Sequence, residues 1–225
     1  MTIRYRHGRL TPVRRSTPLV TGNIYHIFNR GVNKQDVFFE KSDFRHFLEA
    51  ATHYKTKSSR FSYERGPISS INNNDTGSLE PRVEVFAYCL MPNHFHFLIK
   101  QLEDNGIINY MRRLLNSYVH YINVKHKRIG PLFAGRYKNV LIETDEQLMH
   151  VSRYIHLNPM VSGITGNLDE YPWSSYASYF SGGDLLCEPV PVLAMLGGTD
   201  KYRQFVDDQK NYGKELEKIK HLIID

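Results

Sequence analysis

The sequence predicts an α+β fold, and three observations predict it. Large β-forming residues alternate around His26 and again between Val83 and Lys100, apolar stripes at helical spacing run through Ser42–Tyr54 and Ile107–Val124, and turn residues separate these segments. Read in order they give strand, helix, strand, strand, helix, strand, helix. That order is compatible with a ferredoxin-like antiparallel sheet carrying helices on one face.

Residues 1–20 form a basic arm. The first strand, Asn23 to Asn29, ends at the turn Arg30-Gly31. Ser42 is the expected N-cap of the first helix, whose apolar face is Phe44, Phe47, Leu48 and Ala51. Residues 57–82 hold Gly-Pro, three successive asparagines and Asp-Thr-Gly with little to bury, so they read as an inserted surface loop. Two strands follow, Val83–Leu90 and His94–Lys100, joined tightly by Met91-Pro92-Asn93. The second helix buries Ile107, Met111, Leu114, Leu115, Tyr118 and Ile122. After Gly130-Pro131 comes a strand from Tyr137 to Glu143. Thr144 then caps a third helix, with Gln147 as its capping-box partner and Pro159 as its stop. The main domain is expected to span residues 21–180, and residues 181–225 form an extension that is helical from Asp200 onward.

The 225 residues, 41% hydrophobic and 23% charged, suit one soluble domain with a real core and exclude a disordered or fibrous chain. No run approaches the ~18 apolar residues of a membrane span, and the arginine-rich start is unlike a secretory leader, so the expected compartment is the cytoplasm with no membrane partner. Cys89 and Cys187 are too few for a disulfide scaffold and read as packed thiols. The net charge of +6 is unevenly placed. Seven basic residues precede the first acidic one, Asp36, while the remainder is nearly balanced, a pattern that favours a polyanionic partner and equally describes a solvated tail.

A strand's period of two puts His94 and His96 on one face, with Phe95 and Phe97 on the other. Two imidazoles make part of a divalent-metal site and also occur as ordinary hydrogen-bonded histidines. On the third helix His150, Tyr154 and Asn158 share one ridge at i, i+4, i+8. If that ridge faces His94 and His96, Asn158 offers a carbonyl oxygen as third ligand and Tyr154 stands a turn away as nucleophile. The alternative is a half-buried Tyr154 and an Asn158 that only closes the helix.

Four segments, Gly22–Phe28 with Asn29-Arg30-Gly31, Met91-Pro92-Asn93-His94-Phe95-His96, Gly135-Arg136-Tyr137-Lys138 and Tyr154-Ile155-His156-Leu157-Asn158-Pro159, resemble in series the single-tyrosine HUH transposases. The REP-associated branch, related to the smallest insertion-sequence transposases, is the nearest in pattern, and the resemblance covers about Thr21 to Tyr176. It implies a DNA strand-transferase in which His94, His96 and Asn158 bind Mg²⁺ or Mn²⁺ and Tyr154 attacks the scissile phosphate, leaving a 5′-phosphotyrosine and a free 3′-hydroxyl. Insertion-sequence relatives commonly carry glutamine where this chain has Asn158, and the Asn158-Pro159 pair agrees with the REP-associated branch. The implied substrate is single-stranded or hairpin DNA, including REP-like palindromes, and the implied assembly is a monomer or a homodimer.

Candidate phosphate contacts are Arg14, Arg15, Arg30, Arg112, Arg113, Arg136 and Lys138, and candidate base-stacking residues are Tyr137, Trp173 and Tyr176. Tyr118 and Tyr121 rival Tyr154 as nucleophile, but Ile122 and Lys125 stand four residues after them where a ligand amide is needed. His150 and His156 are the candidates for the phenolic proton, with neither preferred. Two other functions compete: a non-cleaving DNA-binding regulator descended from such a transposase, and a metal hydrolase that activates water on His94 and His96.

Overall fold

A computed structural model describes residues 18–56 and 80–209. The basic arm with Arg14 and Arg15, nearly all of the 57–82 loop and the helix expected beyond residue 209 lie outside the described residues.

Four antiparallel strands form one sheet: β1 (Ile24–Arg30), β2 (Val83–Met91), β3 (His94–Gln101) and β4 (Lys138–Ile142), in the order β2-β3-β1-β4. The ferredoxin-like arrangement is the one observed. The register sets Phe28 against both His96 and Lys138, and Arg30 against His94. Partners across an antiparallel ladder point to the same side, so His26, Phe28, Arg30, His94, His96 and Lys138 share one face.

The opposite face is the main core. Helices α1 (Lys41–Tyr54) and α2 (Gly106–Lys125) cover it. The Phe47 ring lies 5.4 Å from Phe95, 6.1 Å from Phe97 and 4.9 Å from Tyr118, all buried. These aromatic side chains dominate the burial that holds the helices to the sheet. The helices are also clamped to each other through Asp43, which is fully buried. Lys125 Nζ donates to its Oδ1 at 2.6 Å and Tyr121 at 3.2 Å, and the Phe39 and Glu40 amides donate to its Oδ2. Glu40, also ion-paired to Lys125, is the N-cap of α1 and makes a capping box with Asp43. The expected cap, Ser42, is one residue inside the helix and donates to Glu40 instead. The clamp sets the start of the helix.

Helix α3 (Asp145–Val161) differs from expectation in two ways. It crosses the histidine face of the sheet, so helices lie on both faces rather than one. It also continues through Pro159, which stands in the last turn, so that only Met160 and Val161 of the helix follow the residue that lacks an N–H. Ser162 N–H still reaches the Asn158 carbonyl at 3.0 Å. At the other end Thr144 caps the helix as expected, accepting from Gln147 N–H at 3.1 Å. The Gln147 side chain accepts from Glu143, one residue before the cap.

The chain after α3 closes the outer edge of β2. Leu90 N–H donates to Trp173, Ser175 N–H to Tyr88 and Glu188 N–H to Val85, while the Tyr171 and Tyr179 hydroxyls donate to the Leu90 and Phe86 carbonyls. An edge strand is thereby paired rather than left open. Helices α4 (Val190–Leu196) and α5 (Thr199–Asp207) then pack on α3, burying Val192, Tyr202 and Val206. The weak signals after Gly163 gave no helix over Val190–Leu196. Both cysteines are buried, unpaired thiols, as the sequence implied. No helix among the described residues is long and apolar enough to cross a membrane.

Candidate active site

The segments singled out in the sequence meet at one end of the sheet. Asn29 Nδ2 donates to the Gly135 carbonyl at 3.1 Å, and Gly31 N–H donates to the Asn93 carbonyl at 2.8 Å. Gly31 is needed there: a Cβ on it would stand 2.0 Å from the Gln35 carbonyl oxygen. These bonds tie the end of β1 to the turn that launches β3 and to the approach to β4.

On the shared face the His94 and His96 rings lie 5.0 Å apart, nearly perpendicular. Tyr154 descends on them from α3. Its ring meets His96 edge-on at 5.6 Å and His26 at 6.0 Å. Asn158, one turn further along α3, is buried and donates Nδ2 to the Tyr154 carbonyl at 2.9 Å. The structure thus sets Tyr154 against the histidine pair, with Asn158 one turn further along the same helix.

His26 is a residue the sequence reading missed. Its Nε2 lies 2.9 Å from His96 Nδ1, both rings are buried and they stack at 19°. Burial drives its pKa down to about 3, so it is neutral. Its signal was an imidazole amid apolar residues of a strand, informative only once β1 is set beside β3.

Burial pushes the Tyr154 phenol up to about 12, while the Asn158 side chain and the Arg30 charge pull the other way. The hydroxyl is buried and makes no hydrogen bond of good geometry. Arg30 Nε is likewise buried without a hydrogen bond, on the face shared with His94. Lys138 is exposed, its ammonium 5.9 Å from the Phe28 ring, and Arg136 is exposed at the approach to β4. Arg112 and Arg113 lie elsewhere, on α2 across the sheet.

The other candidates have structural duties. Tyr118 is buried and donates to the Val37 carbonyl, and Tyr121 stacks on His46 at 3.8 Å and bonds Asp43, both on the far side from the histidine pair. Tyr137 and Tyr176 are buried, and Trp173 stacks on Phe44 at 4.8 Å. His156 has both ring nitrogens engaged, Nδ1 with Tyr202 at 2.7 Å and Nε2 with Ser175 at 2.8 Å, and burial lowers it to about 3. His150 sits against Arg153 and the Phe205 ring.

The two imidazoles are spaced as a pair of donors to one divalent cation would be. A ring bound through nitrogen at about 2.1 Å places its centroid roughly 3.2 Å from the ion, so two such rings at 90–110° stand about 4.5–5.2 Å apart. The 5.0 Å between His94 and His96 lies in that range. Among the described residues no group of three His, Cys, Asp or Glu offers a competing site.

Residues 77–158 match the family described as IS200-like transposases. No curated protein matches the chain. Among solved structures, a REP-associated tyrosine transposase bound to a REP hairpin superposes with a TM-score of 0.54 at 14% identity, over 76% of this chain and 86% of the other. That likeness concerns the fold, and the match over 77–158 takes in β2, β3, α2, β4 and α3 as far as Asn158, with both histidines and Tyr154. Those residues thus carry a match to the IS200-like transposase family, and the chain shares the fold of a REP-associated tyrosine transposase.

Proposed function

We propose that the protein is a metal-dependent transposase or endonuclease that cleaves and rejoins single-stranded or hairpin DNA, including REP-like palindromes, through Tyr154. The observation that carries this reading is the edge-on packing of Tyr154 against His96, which sets a phenol beside two imidazoles presented by one strand.

In this reading His94, His96 and Asn158 hold Mg²⁺ or Mn²⁺. Held there, such a cation would supply positive charge that polarises the scissile phosphate. Arg30, with its unengaged Nε, binds a phosphate oxygen beside Tyr154, and Lys138 and Arg136 follow the strand away from the site. Arg14, Arg15, Arg112 and Arg113 belong to the same proposal as more distant backbone contacts. Tyr154 Oη forms a bond to phosphorus as the bond to the 3′-oxygen breaks. The phenol gives up its proton and the departing 3′-oxygen gains one, leaving a 5′-phosphotyrosine and a 3′-hydroxyl. A 3′-hydroxyl of another strand reverses the step and joins new DNA without ATP. With its pKa near 12 the phenol is almost wholly protonated at neutral pH, so its proton must leave during attack. His156 cannot take it without breaking its bonds to Tyr202 and Ser175.

The test is incubation with end-labelled hairpin oligonucleotides and Mn²⁺ or Mg²⁺, followed by a denaturing gel. The expected result is DNA covalently bound to protein, lost with EDTA and in Tyr154→Phe. Cut ends without an adduct would make water the nucleophile, as in the hydrolase reading. The buried hydroxyl of Tyr154 favours one second reading, a non-cleaving DNA-binding regulator. It predicts tight, salt-sensitive hairpin binding with neither adduct nor cleavage.

A further inference from the structure

We propose that Asn93 and His26 are positioning residues that fix the tautomers of His94 and His96, so that each ring carries its proton on Nδ1 and presents the Nε2 lone pair to the cation. The inference rests on the cation reading above and deepens it.

At His94 the tautomer is set by Asn93. Asn93 Nδ2 donates to the Lys34 carbonyl at 3.1 Å. An amide turned the other way would set two oxygens against each other, so Oδ1 is the atom that meets His94 Nδ1 at 2.6 Å. An oxygen without a proton only accepts. His94 Nδ1 therefore bears the hydrogen, and the lone pair of the neutral ring is on Nε2.

The surroundings hold Asn93 in that pose. Its backbone carbonyl accepts from Gly31, and the Pro92 carbonyl accepts from the Val37 and Phe38 amides. Lys34 and Asn33 both occupy the left-handed region, at φ 60° and 53°, which aims the Lys34 carbonyl at Asn93. Two successive non-glycine residues there persist only where neighbouring structure over-determines them.

At His96 the proton on the line to His26 Nε2, 2.9 Å long, has two possible homes. On His26 it would leave His96 protonated at Nε2 and unable to bind a cation through that atom. On His96 Nδ1 it makes the two strand histidines equivalent ligands, with His26 as a buried acceptor behind one of them. His26 then acts on the reaction only through His96. Among ligand-bound histidines such an outer partner is the rule.

The tautomers are read directly from two-bond proton–nitrogen correlation spectra of the ¹⁵N-labelled full chain without metal, with signals assigned from His94→Gln and His96→Gln. Both rings are expected to show a protonated Nδ1, the reverse of what a free histidine side chain prefers. Mn²⁺ affinity, measured by calorimetry without DNA, supplies the second readout. Asn93→Leu and His26→Leu should weaken it about 10–100-fold. Asn93→Asp and His26→Gln keep an oxygen acceptor for Nδ1–H and should remain within a few-fold of the unaltered protein, and they carry the comparison if a leucine variant fails to fold. A protonated Nε2 at either strand histidine would overturn the proposal, as would leucine variants with unchanged affinity. Both Nδ1–H tautomers in a chain that binds no Mn²⁺ would instead refute the cation reading, leaving the roles of Asn93 and His26 in orienting the rings in place.

Discussion

Acidification from pH 7.5 to 5 should remove much of this protein's stability, because two interior histidines are held neutral. His26 and His156 are both driven down to about 3 by burial, against roughly 6.5 in an unfolded chain. Between those values the unfolded chain binds a proton at each site that the folded chain refuses. Stability therefore rises with pH, and it is lost as pH falls below about 6.5. At pH 5 an unfolded histidine lies about 1.5 units below its pKa, which is worth roughly 2 kcal/mol, so the pair contributes about 4 kcal/mol. That figure barely changes if the folded groups titrate at 4 rather than 3. His46, lowered to about 4, adds in the same direction. Asp43 and Glu40 also titrate low, so they are ionised in both states down to about pH 5 and leave this window to the histidines. Against a total of ~5–15 kcal/mol the loss is large. Urea unfolding followed by circular dichroism at pH 7.5, 6 and 5 should show the midpoint falling by about 2 M, taking a slope near 2 kcal/mol/M. His156→Gln should be less stable at neutral pH yet lose only about half as much on acidification. A midpoint that moves by less than ~0.5 M, or an unchanged acid loss in His156→Gln, would refute the reasoning.

Other outcomes are equally specific. Alkaline difference absorbance between the unaltered protein and Tyr154→Phe should show no phenolate from Tyr154 at pH 10, since its pKa stands near 12. Gly31→Ala forces a methyl group to within 2.0 Å of the Gln35 carbonyl and 2.9 Å of Val37 Cγ1. It should cost about 1–3 kcal/mol in thermal unfolding and weaken Mn²⁺ binding, because Gly31 holds the Asn93 turn. Phe47→Ala should cost about 3–5 kcal/mol by chemical denaturation, having emptied the centre of the aromatic core. Asp43→Ala strands the Phe39 and Glu40 amides and the Lys125 ammonium, and it should cost roughly 3 kcal/mol, with Asp43→Asn intermediate.

Much of the fold was readable because local pattern and tertiary environment agree. Period-two aromatics found β2 and β3, and Thr144 marked the start of α3. That His94 and His96 share a face followed from pleat geometry, and the i, i+4 spacing set Tyr154 and Asn158 on one ridge. What stayed hidden depends on distant partners. Nothing near Ser42 announces that Asp43 is claimed by Lys125, some eighty positions away, and that claim moves the cap to Glu40. The face taken by α3 is a question of topology, not of helical period. His26 gains meaning only from the cross-strand register, and His156, once a candidate base, is understood only through Tyr202, which nothing in the local sequence singles out.

Among the described residues the hairpin of β2 and β3 is the one strand pairing made between neighbours in sequence, and it already carries both strand histidines. Every later step is long-range. The sheet waits for β4 to join β1, α3 must dock across the hairpin, and its seat is completed by Tyr202, 46 positions after His156, while Glu188 reaches back to Val85 to seal the edge. During synthesis on the ribosome the imidazole pair therefore exists well before Tyr154 is locked beside it. A nascent chain thus holds its strand histidines open on the sheet until α3 and the segment that seats it have emerged and folded back over them.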